Sequence, residues 1–143
     1  MNTGKTWLIS IIILAALMVA GLQMQGCKFQ IIPEEQERRE VEFVLVSEEC
    51  IPEAVKTIIE TRKEEEMKLT YVDGKDRYII IGYGKQNTGG YSIYVKDMYA
   101  TENALYVDTC LLGPPKESKK IEVPSYPVIV LQIMEMGLPV VFK

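Results

Sequence analysis

Residues 69–81 read LTYVDGKDRYIII, and this stretch decides the fold. Leu69-Thr70-Tyr71-Val72 and Arg77-Tyr78-Ile79-Ile80-Ile81 are runs of β-branched and aromatic residues on either side of Asp73-Gly74, a strong short-range hairpin signal. The strand code continues toward the C-terminus. Ile93, Val95 and Tyr99 alternate with Ser92, Tyr94 and Lys96, and a turn is expected at Thr101-Glu102-Asn103. Leu105, Val107 and Leu111 then alternate against Tyr106 and Asp108. Gly113-Pro114-Pro115 breaks the pattern, and a polar loop leads to Pro124-Ser125-Tyr126-Pro127. Residues 128–133 are almost continuously apolar and predict a central strand, and residues 139–142 predict a last one.

Toward the N-terminus, residues 41–46 (VEFVLV) predict the first strand. Pro52 and Glu53 then suit the first turn of a helix, proline by its fixed φ and the acid by the helix dipole. Ile51, Val55, Ile58 and Ile59 fall on one face, predicting an amphipathic helix over 52–66 with Glu64 four residues before Lys68 in the favourable order. The run Glu64-Glu65-Glu66 reads as a solvated end. One helix between a first strand and five or six later ones gives an α+β chain, mostly β: a small antiparallel sandwich or curved sheet with one packed helix. The eight tyrosines, against three phenylalanines and one tryptophan, suit sheet faces where the ring packs and the hydroxyl stays wet.

The first 26 residues follow a different code. Lys5 precedes Leu8–Leu22, which carries no charge, and the next charge is Lys28. A basic start, an apolar run and a small residue at a cleavage point describe an export signal. Met24-Gln25-Gly26-Cys27 resembles a bacterial lipobox, which makes Cys27 the candidate lipidation site, although Met24 and Gln25 are not the usual occupants. As a helix, Leu8–Leu22 rises roughly 22 Å and the uncharged stretch 6–27 roughly 33 Å, against a hydrocarbon core of roughly 30 Å. Length therefore also admits an uncleaved single-pass anchor. The organisation expected is a signal or anchor over 1–26, a tether over 27–40, rich in charge and holding Pro33, and one domain over 41–143.

Composition narrows the chemistry. All 20 acidic residues and all but one of the 16 basic ones follow residue 26, leaving that part at about −5, unsuited to nucleic acid. There is no histidine, which removes the commonest general base and metal ligand. Cys50 and Cys110 cannot complete a thiolate zinc site; in an exported chain they either pair as a disulfide or stand as two buried thiols. No cofactor, metal site or catalytic residue is expected. Ser92, Ser118 and Ser125 lack a histidine, and a pairing of Ser125 with Lys119 or Lys120 has no recognisable spacing. Asp76, Asp97 and Asp108 are the carboxylates left to a hydrolase reading.

Residues 82–95 read GYGKQNTGGYSIYV. The glycines do not form a nucleotide loop, because no lysine with serine or threonine follows them and a strand, not a helix, comes next. Asn87-Thr88-Gly89-Gly90 can instead take positive φ at several positions, so the chain reverses and exposes backbone groups.

A strand ending in Gly82 to Gly84, then Thr88-Gly89-Gly90-Tyr91-Ser92-Ile93, a long strand pair and Ser125-Tyr126-Pro127 before an apolar strand together resemble the C-terminal domain of the PrcB family of protease-complex subunits. The likeness runs from about Tyr78 to Ile133, with Asn87 where the family usually has proline. The family is named for a lipoprotein that accompanies a surface subtilisin-like protease. The resemblance therefore implies a non-enzymatic accessory subunit with a protein partner, a secreted or surface protease among the candidates. A fainter likeness joins the loop to chagasin-type protease inhibitors, which insert a Thr-Thr-Gly-Tyr loop into a protease cleft. Asn87, Thr88, Gly89, Gly90 and Tyr91 are the candidate partner-binding residues, with a simple tight bend as the alternative. The reading is an exported, membrane-tethered protein-binding domain; the alternatives are an inhibitor-like binder, an envelope hydrolase or a structural module.

Overall fold

The computed structural model describes residues 37–117 and 121–143. The export signal, Cys27 and most of the tether lie outside the described residues, as do Ser118, Lys119 and Lys120.

The strands are β1 (Arg39–Glu40), β2 (Val44–Leu45), β3 (Glu66–Asp73), β4 (Asp76–Tyr83), β5 (Ser92–Ala100), β6 (Leu105–Leu112), β7 (Val128–Met134) and β8 (Val140–Phe142). Helix α1 (Glu53–Arg62) follows a single 3-10 turn at Glu48–Cys50. The strands form two four-stranded sheets, ordered β1-β5-β6-β8 and β2-β7-β4-β3. All pairs are antiparallel except β6 with β8, which run parallel.

Both faces of β4 are buried, because each has its own cover. Ile79 and Ile81 face the other sheet and pack with Met98, Ala100, Leu105, Val107, Leu131 and Ile133. Tyr78 and Ile80 face α1 and pack with Val55, Met67 and Val130. The order of layers is helix, sheet, sheet. Two-sided burial is why Tyr78–Ile81 and Val128–Ile133 read as continuous apolar runs rather than as alternation. The Tyr83 hydroxyl meets the Thr109 hydroxyl at 3.0 Å, satisfying a polar pair between the sheets.

Several expectations are corrected. The expected strand over 41–46 is reduced to Val44–Leu45, which pairs with β7; Arg39–Glu40, just before it, pairs with β5 in the other sheet, and Val41 packs into the core between them. The helix ends at Arg62 rather than at residue 66, since Glu66 already pairs with Tyr83 in the β3–β4 ladder. Lys68 therefore meets Glu66 at 3.6 Å along the strand, and the Glu64–Lys68 helical pair does not form. In the hairpin Asp73 pairs with Asp76, so the two central residues are Gly74 and Lys75, with positive φ at the first alone, as a type II′ turn requires.

The largest correction is on β5. A bulge between Val95 and Asp97 inserts Lys96 and reverses the alternation beyond it. Met98 and Ala100 enter the core, and Tyr99, expected on the same face as Ile93 and Val95, turns outward. There it stacks on Tyr106 at 4.9 Å between ring centroids, with Arg38 3.7 Å from its own ring centre. Asp97 and Asp108 oppose one another across the ladder, and each is neutralised separately, by Arg38 at 2.6 Å and by Lys96 at 2.8 Å.

Past β7 the chain is clipped back onto β4. Arg77 bridges Glu135 with two bonds of 2.5 and 2.6 Å and also donates to the Leu138 carbonyl. These side chains are 12% and 21% exposed, and the Arg77 hydrogen bond holds the Glu135 carboxyl below its ordinary value. Cys50 and Cys110 are both free thiols, Cys50 exposed and Cys110 half-buried, so neither sequence reading describes the pair as it stands.

Candidate partner-binding loop

The loop carrying Asn87–Tyr91 connects β4 to β5, that is, one sheet to the other. It begins where Gly84 (φ +67°) presses against the chain leaving α1: a β-carbon on Gly84 would lie 3.1 Å from the Glu64 carbonyl oxygen and 3.2 Å from the Glu66 nitrogen. The Lys85 N–H donates to that Glu64 carbonyl at 3.1 Å. The junction of helix and β3 thus fixes the loop's base.

The middle of the loop is held by the segment before β7. Gln86 and Ser125 exchange both backbone hydrogen bonds, at 2.8 and 3.1 Å, as an isolated antiparallel bridge. The Ser125 hydroxyl donates to the Thr88 carbonyl at 2.7 Å, and the Gly89 N–H donates to the Ile121 carbonyl at 2.9 Å. The Gln86 side-chain amide turns back to the Tyr83 carbonyl at 2.9 Å. The Thr-Gly-Gly-Tyr stretch and Ser125-Tyr126-Pro127, some 35 residues apart in sequence, form one structural unit.

The five expected residues divide within this unit. Asn87 and Gly90 are exposed, while Thr88, Gly89 and Tyr91 are half-buried. Gly90 alone among them has positive φ (+86°), so the expectation of several such positions between 87 and 90 is corrected. Gly89 serves a different need: a β-carbon on it would stand 3.2 Å from Ile121. The Tyr91 ring lies beside Gly113, where a β-carbon would sit 3.6 Å from its Cε1, and the residue is half-buried.

Sequence reading missed the apolar surroundings. Leu112 (47% exposed) pairs with Ser92 at the loop's exit, Tyr94 (57%) follows on β5, and Ile121 (57%) and Val123 (63%) rise from the segment that docks the loop. Leu112 reaches the loop by pairing with Ser92 and Ile121 by accepting the Gly89 N–H, contacts that no local signal could have found. Behind them Lys63 lies 5.5 Å from the centre of the Tyr126 ring, and its hydrogen bond to Glu60 holds the ammonium above its ordinary value.

Three of the side chains weighed for catalysis are engaged elsewhere. The Ser125 hydroxyl is committed to a carbonyl, and Asp97 and Asp108 are in ion pairs. Among the described residues, no three His, Cys, Asp or Glu side chains gather to hold a metal ion.

Comparison with known proteins adds one match: the family model described as PrcB C-terminal covers residues 77–134, from β4 through β7. No curated protein and no solved structure matches the chain. The match takes in the loop, the strand pair β5–β6 and the docking segment, which are the features that bear the resemblance in the sequence. Between Arg77 and Met134, therefore, the chain is similar to the C-terminal domain of the PrcB family.

Proposed function

We propose that this protein is an exported, membrane-tethered and non-enzymatic accessory subunit, which binds another protein, a surface protease, through the end of the sandwich bearing Asn87–Tyr91. One observation carries the reading. A loop fixed at its base and middle presents exposed Asn87 and half-buried Tyr91, with exposed Leu112 paired to Ser92 at its exit and exposed Ile121 against Gly89. Apolar groups clustered on a rigid frame, with an aromatic residue among them, are what a protein interface uses as its buried centre. The family match supports a protein partner, and the lipobox-like Met24–Cys27 supports attachment at a membrane surface, where such a partner would be met.

The loop makes its own stability contribution, so the test separates two effects. Tyr91→Ala removes a half-buried ring and should cost about 1–2 kcal/mol of stability. Capture of the partner by the full-length protein, measured under conditions where the variant remains folded, should fall at least about tenfold, since a central aromatic residue is removed from the contact. Undiminished capture by folded Tyr91→Ala would leave the ring as a plug and move the interface elsewhere.

A further inference from the structure

A second recognition element lies against the first. Strand β2 covers only part of the outer edge of β7: Val44 faces Gln132, Leu45 faces Leu131, and the last rung is the Val46 N–H donating to the Val130 carbonyl at 2.9 Å. The chain then turns away through Glu48–Cys50. In an antiparallel ladder alternate residues point their backbone groups to opposite sides. The Val46–Val130 bond therefore assigns even-numbered residues of β7 to the β2 side. The Tyr83 N–H, bonded to the Pro127 carbonyl at 3.2 Å, agrees by placing the odd-numbered ones on the β4 side. Val128 is the next even residue, and among the described residues no strand lies opposite its N–H and C=O.

The uncovered edge opens into a groove of about 1080 Å³ whose far wall is α1. Its base is apolar, from Val46, Ile59, Val128 and Val130, and Tyr126 also lines it. Its rim is acidic. Lys56 is paired with Glu53 at 3.7 Å and Lys63 with Glu60 at 2.6 Å, while Glu48 and Glu49 have no ion pair among the described residues. The uncompensated charge at the mouth is negative.

We propose that this groove receives an extended segment of a partner protein, alternating apolar and basic residues, which adds as a short strand to the free end of β7. The backbone of Val128 supplies the rung, the apolar base takes one row of side chains, and Glu48 and Glu49 face the basic row. The inference rests on the partner-binding reading and extends it. Tyr126 in the groove's lining adjoins Ser125, which holds the loop through the Thr88 carbonyl, so one partner chain can touch groove and loop together.

The test uses isotopically labelled full-length protein in mild detergent, titrated with a five-residue peptide alternating valine and lysine and capped at both ends. Saturable shifts are expected at the amides of Val128, Val130 and Ile59. Glu48→Lys combined with Glu49→Lys should weaken binding by about tenfold or more at low salt, because two attractive charges become repulsive. Both residues are exposed, so the variant should fold; its unperturbed amide spectrum checks this. Alternate N-methylation of the peptide, which blocks strand addition on one edge, should abolish the shifts. Absence of localised shifts, equal binding of a valine–glutamate peptide, or equal binding by the double variant would overturn the proposal. Partner capture by Tyr91→Ala is measured independently, so the groove and the loop can fail separately.

Discussion

Replacing Gly90 with alanine tests how the loop is built, and Gly89→Ala is its internal control. At φ +86° an alanine costs about 1–2 kcal/mol, because its β-carbon crowds the backbone. The same β-carbon would lie 3.0 Å from Cβ of Pro114. A pyrrolidine ring cannot rotate out of the way, so the contact must be relieved by a backbone shift costing on the order of 1 kcal/mol. The sum is about 2–3 kcal/mol, or roughly 10 °C in Tm for a domain near 100 residues. Gly89 lacks the positive φ, and its close neighbour is Ile121, an exposed side chain on a surface segment that can yield. Gly89→Ala should cost under about 1 kcal/mol, offset in part by reduced entropy of the unfolded chain. Urea unfolding followed by circular dichroism measures both. If Gly90→Ala matches wild type, or Gly89→Ala proves the more damaging, the described loop conformation is wrong.

Val55 is the fully buried residue of α1, so Val55→Asp should abolish cooperative unfolding, whereas Ile58→Asp, at a half-buried position, should leave a destabilised but folded protein by the same assay. Arg77→Ala strands a partly buried carboxylate and should cost about 2–4 kcal/mol in urea unfolding. The folded-state pKa of Glu135 is depressed, chiefly by its hydrogen bond to Arg77. Its contribution is therefore present above the unfolded value of about 4.3 and is lost as pH falls through the folded value. Glu135→Gln should flatten that acid-side slope in a pH series of unfolding midpoints. If Cys27 is lipidated, intact mass should show a mature chain beginning at Cys27 and Cys27→Ala should accumulate as precursor, whereas an unprocessed Met1 start in wild type leaves the single-pass anchor.

The parts of the fold legible in the sequence were those whose signal is local. The hairpin, the turn at Thr101–Asn103 and the apolar run of β7 each carry their evidence within a few residues. Asp73-Gly74 marked the hairpin but not its central pair, since that depends on how Asp73 meets Asp76. Tyr99 was assigned to the wrong face because one extra residue, Lys96, is accommodated as a bulge that only the partner strand reveals. The helix was read too long because Glu64–Lys68 satisfies helical spacing, while the β3–β4 ladder claims Glu66. At the candidate site the Thr-Gly-Gly-Tyr motif located the loop. The hydrogen bond from Ser125 to Thr88 and the apolar neighbours Leu112 and Val123 come from distant sequence and needed the fold.

The proposed function requires that the Asn87 end of the sandwich meet a protein partner. A photo-crosslinking side chain placed at the exposed Asn87 position of the full-length protein, in cells, tests it most directly. The same group at Thr70, exposed on the outer strand β3 of the helix-covered sheet, serves as the comparison. One discrete adduct is expected from position 87, identified by mass spectrometry as a single partner protein, and none from position 70. Adducts from position 70 alone, or the same diffuse background from both, would mean that the Asn87 end is not the interface.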